Sequence, residues 1–222
     1  MSFIINSYGF TPKPFAHWDF SDLTTITKDG SNRVSQVDDK SGNGNHLVQA
    51  TGGSQPLWVD NGQNGLDIID FVGDRFLEYT GGTVPQPLTI LYVGEITSDN
   101  TFHIMIGWKT TGTAVYFTRP VTDRLTLDAN TALFFAEAGL VNTWRLSTLT
   151  MNTTSSSIRI DGTTKVSGDI GAGSFGGGIM VQNNGETIYG LKKVAEIIVY
   201  KQILSDTFRD AKEAELLAKW FP

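Results

Sequence analysis

The sequence contains no cysteine among its 222 residues, and this absence removes several chemistries at once. Without cysteine the protein can have no disulfide, no thiolate metal site and no cysteine nucleophile. The opening stretch MSFIINSYGF lacks the basic start and the long apolar segment of a secretion signal. No apolar run approaches the length of a membrane span. We therefore expect a protein that is made and folded in the cytoplasm and does not insert into a membrane.

Clusters of basic residues are also missing from the chain. Lysine and arginine number 17 against 23 aspartate and glutamate residues, which gives a formal net charge of −6. A nucleic-acid partner requires lysine and arginine grouped along its phosphate backbone, and the sequence has no such group. A negative surface also disfavours adhesion to anionic membranes. Nucleic acid is therefore excluded as an expected partner.

Apolar residues alternate with polar ones in much of the chain, and short breaks of Gly, Asn, Asp, Ser or Thr separate the alternating segments. This pattern is typical of strands joined by tight turns. In IRIDGTTKV an Asp-Gly pair between two alternating runs predicts a hairpin. Nine segments in a row, at roughly ten-residue spacing and without helices between them, predict an all-β antiparallel sandwich or jelly roll. The segments are 87–96, 101–109, 113–119, 124–129, 132–138, 143–151, 156–168, 178–182 and 193–201.

One helix is predicted, over about residues 205–221, at the C-terminal end of the chain. Ser205 or Asp206 can cap its N-terminus. Apolar side chains recur at helical spacing, which predicts a face that packs against the sandwich. That face consists of Phe208, Ala211, Ala214, Leu217, Ala218 and Phe221. Because no linker rich in Pro, Ser or Gly divides the chain, we predict a single domain over residues 1–222.

Three segments carry a resemblance to a known family. They are HWDFSDLTTITKDGSNRVSQVDDKSGNGNHLVQATGGSQPLWV (17–59), NGLDIIDFVGDRFLEY (64–79) and EIIVYKQILSDTFRDAKEAELLAKWF (196–221). Together they resemble laminin G-like, concanavalin A-like modules, which are common in tailed-phage and bacterial surface proteins. The resemblance implies a concanavalin A-like jelly roll with a closing helix. It says little about function, because this fold carries lectins, adhesive modules, lyases, glucanases and structural domains.

The chain departs from the family pattern in places. Val37 and Asp38 stand where the family has a tryptophan before DKSGNGN. The segment FVGDRF keeps Asp74 but lacks two further acids of the family, and the helix has Phe208 in place of an acid. The missing acids weaken any calcium site that calcium-dependent relatives imply.

The segment DDKSGNGNH (38–46) admits two interpretations. Calcium prefers several oxygen ligands, so it is the cofactor that this segment and the later FVGDRF segment can hold. In the other interpretation the two glycines adopt positive φ and the asparagines form local turns. The pattern is neither an EF-hand nor a phosphate-binding P-loop. We favour the structural turn and keep calcium as the alternative, with Asp39, Asn43, Asn45 and Asp74 as its candidate ligands.

Aromatic residues near strand ends are candidates for sugar binding. Sugar rings stack their C–H faces on tryptophan and tyrosine, while their hydroxyls bond to polar groups near by. We regard Trp108 and Tyr116, which flank one predicted hairpin, as the best pair. The alternative is that the aromatic residues fill the core. The full candidate set is Trp108, Tyr116, Arg119, Asp123 and Trp144.

No catalytic pattern stands out in the sequence. Glucanases on this fold place carboxylates as E-x-D-x-x-E, and serine hydrolases of another fold use G-x-S-x-G, but neither pattern occurs. His103 lacks the glutamine that alginate-lyase relatives place two residues before it. We therefore predict a non-enzymatic module that binds a carbohydrate or a cell surface.

The resemblance extends this prediction to a biological setting. It implies a component of a phage or prophage virion, either a receptor-binding or a head-surface protein. Virion proteins act in symmetric arrays, so we expect a homo-oligomer whose partners are a glycan or host polysaccharide and other virion proteins. Two alternatives stay open: a capsid-decoration or assembly protein without a ligand, and a polysaccharide lyase or hydrolase.

Overall fold

The computed structural model describes residues 11–96, 103–109, 114–119, 124–140, 142–182 and 192–222. Its strands form two antiparallel sheets, and an α-helix follows them at the C-terminal end. The prediction of an all-β antiparallel sandwich with a C-terminal helix is therefore confirmed. Within the described ranges no helix has the length and apolar character needed to cross a membrane.

Sheet I contains eight strands. They are β1 (Ala16–Asp19), β5 (Leu57–Gln63), β6 (Leu66–Asp70), β8 (Leu88–Ile96), β13 (Thr143–Met151), β14 (Ser156–Ile160), β15 (Thr163–Gly168) and β17 (Lys192–Tyr200). Their spatial order is β15–β14–β13–β8–β17–β6–β5, and β1 pairs with part of β17. The long strands β13, β8 and β17 therefore lie side by side in the middle of the sheet.

Sheet II contains nine strands. They are β2 (Ile26–Lys28), β3 (Val34–Val37), β4 (Leu47–Val48), β7 (Leu77–Tyr79), β9 (His103–Trp108), β10 (Ala114–Arg119), β11 (Arg124–Ala129), β12 (Ala132–Ala136) and β16 (Ile179–Val181). Their spatial order is β12–β11–β10–β9–β16–β7–β4–β3–β2. Strands from both halves of the chain thus contribute to each sheet, so the two halves share one fold.

The main core lies between the two sheets, where alternate residues of each strand point inward. Ile90 and Tyr92 of β8 enter it from sheet I, and Leu127 and Ile179 enter it from sheet II. Trp18 of β1 is fully buried in the same cluster. Each such side chain contributes about 1.5–3 kcal/mol to folding when it leaves water.

The predicted hairpin is present as β14 and β15. Asp161 and Gly162 join the two strands with φ values of 49° and 79°. Two successive residues with positive φ match the twist of the flanking strands, which is why Asp-Gly is favoured at such turns. The local chemistry of this pair therefore determines where the hairpin turns.

Helix α1 (Asp206–Trp220) covers part of the outer face of sheet I. The Ser205 hydroxyl caps it by accepting a hydrogen bond from the Phe208 N–H at 3.4 Å. Beneath the helix lies a second apolar cluster, in which Leu91 of β8 and Ile198 of β17 contact the helix side chains. The molecule therefore has three layers, with sheet I in the middle.

The buried face of α1 differs from the predicted one. The prediction is wrong for Ala214 and Ala218, which are exposed. Two polar contacts orient the helix instead: Arg159 Nε donates to Glu213 Oε1 at 2.9 Å, and the Trp220 indole N–H donates to a carboxylate of sheet I. The buried side chains of the helix are Phe208, Glu213, Leu216 and Trp220.

Candidate functional site

The carboxylate of Asp39 accepts hydrogen bonds from its own loop and from β1. Its Oδ1 accepts from the backbone N–H groups of His17 and Ser41 at 2.9 and 2.8 Å. Its Oδ2 accepts from the Ser41 hydroxyl at 2.7 Å and from the Asn45 N–H at 3.0 Å. Burial raises the pKa of Asp39, but these hydrogen bonds outweigh burial and lower it. A carboxylate with four donors has little capacity left for a cation.

The asparagines of the same loop reach back to the beginning of β1. Asn43 Nδ2 donates to the carbonyl oxygens of Pro14 and Phe15 at 2.9 and 3.1 Å, and Asn45 Nδ2 donates to that of Phe15 at 2.6 Å. Gly42 and the other glycine of the loop have φ values of 83° and 74°. These contacts support the structural turn. Asp74 is exposed on another segment, and calcium binding by these residues stays a prediction.

Within the described ranges, the residues whose ligand atoms lie close enough for a metal ion are His17, Asp19 and Glu196, with all such atoms within 4.8 Å of one another. None of them belongs to the predicted calcium set. The Lys219 ammonium lies 2.9 Å from Asp19 Oδ1 and 2.7 Å from Glu196 Oε2. His17 Nε2 lies 2.7 Å from Glu196 Oε1. The Lys219 ammonium thus lies between the two carboxylates, in the place that a metal ion would occupy. His17, Asp19, Glu196 and Lys219 together form an ion network.

The ion network also fixes the end of α1 against sheet I. The Trp220 indole N–H donates to Glu196 Oε2 at 2.9 Å, beside the Lys219 contact. Burial raises the pKa of Asp19, but hydrogen bonds from Ser21 and attraction by Lys219 outweigh it and lower the pKa to about 2. Burial likewise raises the pKa of Glu196, but the hydrogen bond with His17 together with the attraction and hydrogen bond of Lys219 outweighs it, so the net shift is downward. Both carboxylates are therefore ionised across the neutral and mildly acidic range.

Of the predicted sugar-binding residues, Trp108, Tyr116 and Trp144 have described side chains, and the structure does not bring these three together. Tyr116 has no exposed surface, and its hydroxyl donates to Ser147 Oγ at 2.9 Å inside the core. The prediction that Tyr116 stacks on a sugar is wrong, because the ring is enclosed between the sheets. Trp108 is half-buried at the end of β9 and packs against Ile104 and Phe117 on sheet II.

Two of the other candidates lie where the structure gives little information. Asp123 and the side chain of Arg119, the last residue of β10, lie outside the described residues. Trp144 is half-buried on sheet I and packs against the cluster beneath α1. Trp108 and Trp144 therefore belong to different sheets, and each has its own surroundings.

Four half-buried side chains form a line across sheet I, which we name the Trp144 row. Trp144 of β13 pairs with Glu95 of β8, and Glu95 pairs with Lys193 of β17. Lys193 in turn pairs with Asp70 of β6. Directly paired residues place their Cβ atoms about 4.5–5.5 Å apart on one face of a sheet. An aromatic ring, an acid, a base and a second acid therefore follow one another across four strands.

The Trp144 row lies on the outer face of sheet I, next to the area that α1 covers. Leu146 and Val93, two residues along the strands from Trp144 and Glu95, pack in the cluster beneath the helix. Residues two apart on a strand share a face, so the row has the same orientation. Phe221, at the end of the helix, is half-buried against the same cluster. The row thus borders the apolar cluster beneath α1, and its half-buried side chains remain in contact with solvent.

The charged members of the Trp144 row are incompletely paired. Lys193 Nζ lies 3.0 Å from Glu95 Oε2, but this buried oxygen accepts no hydrogen bond of good geometry. Among the described residues, none forms a hydrogen bond or ion pair with the Asp70 carboxylate. Burial raises the pKa of Asp70 and Glu95 adds to the rise, while Lys193 and Arg75 oppose it, and the net shift is upward. A half-buried carboxylate without a donor is a strong acceptor for a ligand.

Sequence reasoning identified Trp144 but missed the rest of its row. Alternation along β8 and β17 indicates that Glu95 and Lys193 share a face with their apolar neighbours two residues away. It does not indicate which residues of different strands pair, because register depends on the whole sheet. The available signal was that charged residues occupy outward positions near the ends of otherwise apolar strands.

No family model matches the chain, and no curated protein matches it. Solved structures match it in fold. Domain 4 of AbnA, a GH43 extracellular arabinanase from Geobacillus stearothermophilus, in complex with arabinotriose, is 12% identical with a TM-score of 0.63; the match covers 92% of this chain and 100% of that one. The ligand binding domain of botulinum neurotoxin serotype D in complex with N-acetylneuraminic acid is 12% identical with a TM-score of 0.60.

The match to the neurotoxin domain covers 92% of this chain and 51% of that chain. A sialidase of Trypanosoma rangeli is 13% identical with a TM-score of 0.62, and the match covers 91% of this chain and 33% of that one. The chain therefore spans about half of the neurotoxin domain and a third of the sialidase. At such identities the likeness shows a shared β-sandwich fold. Virion localisation, virion partners, a homo-oligomer and a single domain over 1–222 stay predictions.

Proposed function

We propose that the protein is a non-enzymatic carbohydrate-binding module whose ligand lies against Trp144 on the outer face of sheet I. The observation that carries this proposal is the half-buried indole at the end of a line of charged side chains. A sugar ring packs its C–H face on an indole, and its hydroxyls bond to polar groups beside the ring. The Trp144 row offers both kinds of contact on rigid strands.

The fold supports this proposal because it is shared with a domain in complex with arabinotriose and with a domain in complex with N-acetylneuraminic acid. The finer part of the proposal is a phage or prophage virion component that presents many copies of the site. It is supported by the resemblance of the three sequence segments. Many copies would compensate for a weak single site, because linked sites bind with a high effective concentration.

The test compares Trp144 with Trp108, two of the three half-buried tryptophans of the described chain. Trp144→Ala should reduce glycan binding by about tenfold, because it removes the contact area of the ring and a stacking contribution of about 0.5–1.5 kcal/mol beyond that area. Trp108→Ala is the matched control and should leave binding within about twofold. Binding is measured on a glycan array with multimerised protein and then by calorimetry, with circular dichroism to verify folding.

The outcomes separate the site from the function. Loss of binding in Trp108→Ala together with normal binding in Trp144→Ala would move the site to sheet II. No binding by the multimerised wild-type protein to any neutral or acidic glycan would overturn the proposed function. New reducing ends or unsaturated products in the same mixtures would instead identify an enzyme.

A further inference from the structure

From the chemistry of the Trp144 row we infer that the ligand is an uncharged glycan, whose hydroxyls are bound by Glu95, Lys193 and Asp70. This inference rests on the proposed function, since it assigns the ligand class of the same site. Its basis is the order of hydrogen-bonding groups along the row, the charge around it and the carboxylate at its end, with which no described residue pairs.

The row alternates acceptor, donor and acceptor. Glu95 and Asp70 present carboxylate oxygens, and the Lys193 ammonium between them presents N–H donors. A sugar hydroxyl both donates and accepts, so neighbouring hydroxyls of one ring match such a sequence. Hydrogen bonds to charged groups are roughly twice as strong as neutral ones, and hydroxyls meet carboxylates without any net charge of their own. The row therefore suits a polyhydroxylated ligand.

The charges around the row disfavour an acidic sugar. Glu95 and Asp70 carry two negative charges, and Lys193 and Arg75 carry two positive ones, so among Asp70 and the described groups that act on it the positive charge does not exceed the negative charge. Lys193 already lies 3.0 Å from Glu95. The whole chain has a formal net charge of −6, which repels a polyanion as it approaches. A uronic or sialic acid would have to place its carboxylate between the carboxylates of Glu95 and Asp70.

Asp70 is the residue on which the inference depends most. Its carboxylate is half-buried, and among the described residues it has no donor within hydrogen-bonding distance, although Lys193 and Arg75 act on it through space. Partial burial of a carboxylate without donors costs free energy in the free protein. A ligand hydroxyl that donates to it forms a charge-assisted hydrogen bond and offsets part of this cost, so the contact should contribute to affinity.

The experiment uses affinity electrophoresis and calorimetry with matched soluble polysaccharides. The neutral probes are arabinan, galactan and mannan, and the acidic probes are polygalacturonate and alginate. We expect the wild-type protein to be retarded by at least one neutral probe and by neither acidic one, with little change on adding salt. Asp70→Asn should weaken the neutral interaction by about tenfold, because a hydrogen bond to a charged acceptor is stronger than one to a neutral amide oxygen.

Glu215→Gln provides the matched control, because it also removes one negative charge but lies on an exposed part of α1. It should leave affinity for the neutral probe unchanged. Retardation by an acidic probe that strengthens in Asp70→Asn would overturn the inference and leave the carbohydrate-binding function intact. Neutral binding that Asp70→Asn does not weaken would also overturn it. Absence of binding to every probe, with multimerised protein, would instead overturn the proposed function.

Discussion

The surroundings of Tyr116 place this side chain in the core and not at a ligand site. Its ring lies 6.3 Å from that of Tyr92 in an edge-to-face arrangement, and its hydroxyl donates to Ser147. Burial raises the pKa of Tyr116, so the phenol stays neutral at ordinary pH. The residue therefore contributes packing and one internal hydrogen bond.

Tyr116→Phe tests this assignment. Removing the hydroxyl leaves Ser147 without its partner in the core, so the free energy of unfolding should fall by about 1–2 kcal/mol. Glycan binding should be unchanged, because the ring remains in place and does not reach the surface. Urea unfolding and calorimetry with a neutral glycan measure the two effects. An unchanged unfolding midpoint together with weakened binding would contradict the core role and favour a ligand role.

At the scale of elements, alternation predicted the long strands well. β11 (Arg124–Ala129) and β13 (Thr143–Met151) have the predicted bounds, because polar breaks flank a clean apolar alternation in each. The short strands β2 to β4 have too few residues for a pattern, and the resemblance alone placed them in the sandwich. Register between strands was not predictable, so the line from Trp144 to Asp70 could not be seen in advance.

The helix shows the same limit, because helical spacing does not determine which way the element is rotated. The predicted face includes Leu217, whereas the structure buries Leu216 and leaves Leu217 half-buried. Leu216 packs between α1 and sheet I in the second apolar cluster. Tertiary contacts, such as the ion pair between Arg159 and Glu213, determine which of the two rotations the helix adopts.

Two adjacent substitutions distinguish these rotations. Leu216→Ala should lower the free energy of unfolding by about 2–4 kcal/mol, because it removes buried methyl groups and leaves a cavity. Leu217→Ala should cost less than half as much, since part of that side chain already contacts water. Urea denaturation of both variants gives the comparison. Equal losses, or a larger loss for Leu217→Ala, would restore the face predicted from spacing.

At the scale of the whole molecule, the outer face of sheet I holds both the end of α1 and the proposed binding site. The end of α1 is held there by Lys219 and Trp220, which contact Glu196 and, through Lys219, Asp19. The Trp144 row lies on the same face beyond the helix. The pKa of Asp70 in the row is raised, whereas the pKa values of Asp19 and Glu196 in the ion network are lowered. As the pH falls, we therefore expect Asp70 to be protonated and glycan binding to weaken before the protein unfolds.

This order gives a pH prediction for binding. The pKa of Asp70 is raised above 3.8, first by burial and further by Glu95. Only the ionised carboxylate is an acceptor with full charge, so affinity for a neutral glycan should fall as pH drops through this raised pKa. The pKa of Asp19 is about 2 and that of Glu196 is also lowered, so their contribution to stability is fully present above their unfolded pKa values and is lost only as the pH falls through their lowered folded values.

Between the two ranges we expect a folded protein that binds weakly. Calorimetry with a neutral glycan from pH 7 down to pH 4, alongside melting temperature at each pH, measures both curves. Asp70→Asn should bind weakly throughout and lose most of the pH dependence, because its amide does not titrate. A wild-type affinity that stays constant until the protein unfolds would contradict the role of Asp70. An undiminished pH dependence in Asp70→Asn would likewise contradict the role of Asp70.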